Sequence, residues 1–80
     1  ISPAAPEQTA SYVRRRLDAA GAKAELFAPD ALVLLHELTG GALRSVDILA
    51  DAALRLAAQQ EVRLVDRPVV RRALQFTPLA

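Results

Sequence analysis

Proline and glycine punctuate this chain so regularly that they limit the length of every element it can form. Gly21 and the pair Gly40–Gly41 each close a run of apolar residues at helical spacing, and Pro6, Pro29 and Pro68 each stand where the next run opens. Proline suits the first turn of a helix, where its missing N–H is not needed. Glycine suits the position just past the last turn, where a positive φ ends the helix without strain. No apolar stretch between these marks approaches the roughly 18 residues that span a bilayer, so direct membrane insertion is not expected.

Four helices follow from the punctuation. The first is expected near residues 6–20, with Glu7 favouring its opening turn and Thr9, Val13, Leu17 and Ala20 on one stripe flanked by Tyr12 and Arg16. The second, 29–39, starts after Phe27, which is placed to pack back as a staple, and carries Ala31, Leu34, Leu35 and Leu38 at i, i+3, i+4, i+7. The third and longest, 42–59, presents Val46, Leu49, Ala50, Ala53 and Ala57, widened by Leu43, Ile48, Leu54 and Leu56. So broad an apolar surface marks the central helix. Val62, Leu64 and Val65 then read as a short extended connector. Asp66 is an N-cap candidate for a fourth helix, 67–76, with Val69, Val70, Ala73 and Leu74 on its apolar face. The tail Thr77–Ala80 is expected to fray. The expectation is an all-α, compact four-helix bundle forming one domain over residues 1–80.

Composition agrees with this and excludes several functions. Hydrophobic residues make up 52% of the chain, enough for one small core, but Tyr12, Phe27 and Phe76 are the only aromatic residues, so the packing must be aliphatic. A net charge of +1 argues against a nucleic-acid binder that relies on bulk electrostatics. There is no Cys and a single His36, which leaves neither a disulfide framework nor a His/Cys metal site. His36 has no nucleophile in register and reads as a boundary or surface residue. No signal peptide is visible. The chain begins at Ile1 without Met, which predicts a piece of a longer protein.

The charged residues are weighed one group at a time. Arg14, Arg15 and Arg16 are consecutive and therefore point about 100° apart on a helix. They and the Arg71–Arg72 pair read as solvated faces more readily than as phosphate contacts. Asp51 and Arg55 make an i, i+4 surface pair. No catalytic constellation appears, so the chain alone is not expected to be an enzyme. Arg44 stands apart, because it falls in the opening turn of the third helix, where partial positive charge disfavours a cation. Either it is exposed without a partner, or an anion is meant to sit there, held by the guanidinium and the free N–H groups together.

Three blocks of the sequence, YVRRRLDAAGA, LFAPDALVLLHELTGGALR and VDILADAAL, resemble the C-terminal lid of AAA+ ATPases of the ExeA/GspA type, which serve general secretion. They are also similar to the related TniB and MuB-like ATPases of DNA transposition. The family pattern runs Y-I-x-x-R-L-x-x-A-G, then L-F-x-x-x-A-L-x-x-I-x-x-x-S-x-G-x-P-R, then I-N-x-L-x-D-x-A-L. Tyr12, Arg16, Leu17, Ala20 and Gly21 match the first block. Leu26, Phe27, Ala31, Leu32, Gly41 and Arg44 match the second, and Leu49, Asp51, Ala53 and Leu54 the third. The resemblance covers residues 1 to about 74. It implies that Arg44 is the sensor-2 arginine, reaching the phosphates of ATP bound with Mg²⁺ in a P-loop core that would lie upstream, and that Gly41 lets the backbone turn tightly beside that nucleotide. It implies a cytoplasmic ATPase as parent, self-association in that parent, and contact with a secretion or DNA partner. Leu43 stands where the family has Pro, and Asp47 where it often has Asn. Asp47, at i+3, is placed to pair with Arg44 when nucleotide is absent.

Three functions are carried forward: a nucleotide-sensing lid, a DNA-binding helical module, and an interaction bundle used for oligomerisation. Salt-dependent DNA binding favours the second, concentration-dependent self-association the third, and an upstream G-x-x-x-x-G-K-[ST] motif the first.

Overall fold

A computed structural model describes residues 5–22 and 25–77. Its helices are α1 (Pro6–Ala19), α2 (Pro29–Thr39), α3 (Leu43–Gln59) and α4 (Arg67–Gln75), so the all-α four-helix bundle expected from the sequence is the fold found. Residues Pro78–Ala80 of the tail lie outside the described residues.

Local chemistry accounts for the helix ends. Pro6 and Pro29 occupy first-turn positions, and Gln8 reaches back to the Ala5 N–H at 2.8 Å. Asp66 caps α4, accepting a hydrogen bond from the Val69 N–H at 3.2 Å. At the end of α1 the Gly21 N–H bonds the Asp18 carbonyl and the Ala22 N–H the Leu17 carbonyl, both at 3.0 Å, with Gly21 at φ +93°. This is a Schellman closure. The same pair of bonds closes α3, from Glu61 to Ala58 and from Val62 to Ala57. There the left-handed position is filled by Glu61 at φ +56°, with no glycine to signal it.

Three expectations about packing are corrected. α2 is as central as α3, since each contacts the other three helices, while α1 and α4 flank the pair without touching one another. Leu32 is accordingly buried beside Ala31, Leu34 and Leu35. The α3 stripe of Val46, Leu49, Ala50, Ala53 and Ala57 is buried, and Leu54 and Leu56 widen it, but Leu43 and Ile48 do not. Ile48 stands about 200° round the helix from Val46 at 100° per residue, which turns it to solvent. Leu43 sits in the terminal turn and is 50% exposed. Ala20 caps α1 and is exposed instead of extending the α1 stripe.

The connectors also pack on one another. Phe27 and Val65 form an isolated parallel bridge, in which the Val65 N–H donates to the Leu26 carbonyl and the Ala28 N–H to the Val65 carbonyl, both at 2.8 Å. Phe27 and Val65 are each 1% exposed, so the bridge closes one end of the core.

Candidate functional site

The start of α3 is built differently from the other helix starts. α1 carries Glu7 in its first turn, α2 carries Asp30, and α4 has the Asp66 cap. α3 has Ala42 at its N-cap, no side-chain cap and no acidic residue in its first turn. Among the described residues the N–H groups of Leu43, Arg44 and Ser45 find no acceptor. The approach to this turn is tightly organised. Gly40 and Gly41 hold φ at +64° and +82°, a left-handed pair that residues with a Cβ adopt only under strain. Thr39 secures them from the side, its Oγ1 donating to the Leu35 carbonyl at 2.6 Å and accepting from the Gly41 N–H at 3.3 Å.

Arg44 is exposed in the second position of α3 and makes no ion pair among the described residues. Val46, two positions on, faces the core, so the helical period turns Arg44 toward solvent. A guanidinium, three unpaired amides and the positive end of a helix dipole offer donors and no acceptor, which suits a phosphate oxygen. They do not suit Mg²⁺, and no cluster of three or more His, Cys, Asp or Glu able to hold a metal occurs among the described residues.

Asp47 does not pair with Arg44, contrary to the sequence expectation. Its carboxylate turns to α1, where the Tyr12 hydroxyl donates to both Oδ1 and Oδ2 at 2.9 Å and Arg16 Nε lies 3.6 Å from Oδ1. The Arg16 guanidinium also lies over the Tyr12 ring, 5.9 Å from its centroid. The bond to the Asp47 carboxylate pushes the Tyr12 phenol above its ordinary pKa, because ionisation would remove the proton being donated.

The remaining candidates disperse. Arg14 pairs with Glu25 at 3.0 Å on an exposed face, and Asp51 pairs with Arg55 at 3.0 Å, as their spacing predicted. Arg14, Arg15, Arg71 and Arg72 are exposed, and Arg14 and Arg16 reach different partners, so the run forms no single patch. His36 is more than a boundary residue. Its Nδ1 lies 2.8 Å from Oγ1 of Thr9, a buried polar side chain that is 1% exposed, and so joins α2 to α1. Thr9 on an otherwise apolar stripe was the one sequence signal for this bond. No helix among the described residues is long and apolar enough to cross a membrane.

The class defined by this fold and site is thus an all-α four-helix bundle that presents one uncapped, arginine-bearing helix start. Over 54 residues, 68% of its length, the chain is 40% identical to General secretion pathway protein A of Aeromonas hydrophila. The match covers 10% of that protein, so the chain corresponds to a small part of its relative. No family model matches the sequence, and no solved structure matches it.

Proposed function

We propose that this bundle is the lid of a P-loop ATPase of the AAA+ type serving general secretion, and that Arg44 is its sensor of bound nucleotide. The observation that carries the reading is the start of α3, among the described residues the one helix start with neither a cap nor an acid, where Arg44 is exposed and makes no ion pair. The likeness to General secretion pathway protein A supports it and favours secretion over transposition. In this reading the lid closes over an ATPase core elsewhere in the parent polypeptide. ATP and its Mg²⁺ are held by that core, and Arg44 together with the α3 amides reaches a phosphate oxygen. Gly40 and Gly41 give the backbone the sharp turn that brings α3 end-on to the nucleotide. The bundle by itself catalyses nothing.

The test is steady-state ATPase kinetics on the parent, paired with a thermal melt. Arg44→Ala should reduce nucleotide affinity or turnover about tenfold or more, the scale of a charge-assisted hydrogen bond at about 1.5–3 kcal/mol. Stability should barely change, since a cation at a helix start gains nothing without an anion. Arg44→Lys should recover part of the loss, because a point charge does not reproduce the planar fork. Arg14→Ala, which removes only an exposed pair with Glu25, should be near neutral. An intact ATPase with Arg44→Ala would sink the assignment.

A further inference from the structure

Asp47 poses a problem for any anion site at Arg44. It lies three residues further along α3, at the spacing where oppositely charged side chains pair on one helix face. Such a pair would occupy the guanidinium and compete with a phosphate. The structure shows the competitor diverted. Both Asp47 oxygens are 2.9 Å from the Tyr12 hydroxyl, and Arg16 Nε stands 3.6 Å from Oδ1. Both partners come from α1, and the Arg16 guanidinium over the Tyr12 ring keeps the two together. The Asp47 side chain is 38% exposed and that of Arg16 64% exposed, so water screens the ion pair. Orientation is therefore imposed chiefly by the directional bond from the phenol, whose single proton is shared between the two oxygens.

We propose that Tyr12 is a positioning residue for Arg44: with Arg16 it holds the Asp47 carboxylate against α1 and so keeps the guanidinium of Arg44 free for a phosphate. Its value to nucleotide binding rests on the lid reading, whereas the separation of Asp47 from Arg44 does not. Tyr12→Phe keeps the ring and removes only the hydroxyl. Asp47→Asn removes the competing charge.

The first measurement follows the Arg44 Nε–Hε resonance by NMR in the 80-residue chain. Asp47→Asn should leave this resonance in place in the native background and move it in the Tyr12→Phe background. Equal movement in both backgrounds, or movement in neither, overturns the proposal. The second measurement is the KM for ATP of the ATPase that carries this lid. Tyr12→Phe should raise KM about twofold, the scale of an i, i+3 pair, with little change in kcat. Adding Asp47→Asn should bring KM back to the native value. A merely structural role for the hydroxyl would give no such rescue, and a KM that stays raised in the double variant overturns the proposal. An Arg44→Ala variant that is silent in the same assay overturns the lid reading alone and leaves the NMR result standing.

Discussion

Glu61 is the residue that local rules explain least. It holds φ at +56° in the Schellman closure of α3, a position where glycine is the usual occupant. A side chain in this conformation costs about 1–2 kcal/mol. Glu61 also places an anion at the negative end of the α3 dipole, and it is exposed, its carboxylate accepting no hydrogen bond among the described residues. Glu61→Gly removes the strain and the charge together, against a smaller loss from the greater freedom of glycine in the unfolded chain. The expected outcome is a gain of about 0.5–1 kcal/mol, read from urea melts. A lower midpoint would show that the Glu61 side chain makes a stabilising contact that outweighs the strain.

At the scale of the element, α3 pairs a well-buried stripe with an unfinished beginning. Ala42 sits at its N-cap with φ −68° and ψ 116°, extended backbone that Asp adopts readily. Ala42→Asp should therefore supply the missing cap and stabilise the fold by about 0.5–2 kcal/mol. It should also occupy the amides of the first turn and place a carboxylate beside Arg44, which on the proposed lid reading weakens nucleotide binding in the ATPase that carries this lid. A thermal melt together with ATP titration separates the two effects. A gain in stability without loss of nucleotide affinity would argue that the α3 start holds no phosphate. The lack of a cap at this helix start, where a one-residue change could provide one, is what a functional anion site would require.

For the whole molecule, the bridge between Phe27 and Val65 ties the α1–α2 connector to the α3–α4 connector and makes the bundle one unit. Val65→Pro removes the N–H that donates to the Leu26 carbonyl and leaves that carbonyl without its partner. The expected loss is about 1–3 kcal/mol. Leu64→Ser, at a neighbouring position that is 41% exposed, should change stability by no more than about 0.5 kcal/mol. A circular-dichroism melt of each variant distinguishes the two. Equal melting temperatures would mean that the connectors do not support the fold.

What the sequence determined by itself were the features whose causes lie within one helical turn. Pro6, Pro29, Gly21 and Gly40 mark helix ends to within a residue because caps and left-handed closures are made by neighbours in the chain. Arg44 was legible as an oddity because its conflict with the helix dipole is equally local. Its exposure follows from the same period that buries Val46. Tertiary structure alone decided the contacts between distant positions. Asp47 has a local partner available in Arg44, yet it bonds Tyr12, which lies 35 residues away. Thr9 meets His36 across 27 residues, and Phe27 meets Val65 across the whole of α2 and α3. Helical periodicity says which face a residue occupies but not which helix covers that face. That is why the burial of Leu32 was decided by the neighbouring helices, whereas the exposure of Ile48, about 200° round the helix from Val46, follows from the period itself. The end of α3 at Gln59 was read correctly, but its closure through Glu61, without the glycine that usually announces one, was not legible. The physical reason for the division is range: capping and dipole effects fade within a turn, whereas partner choice depends on how four helices, each apolar on one face, share a single core.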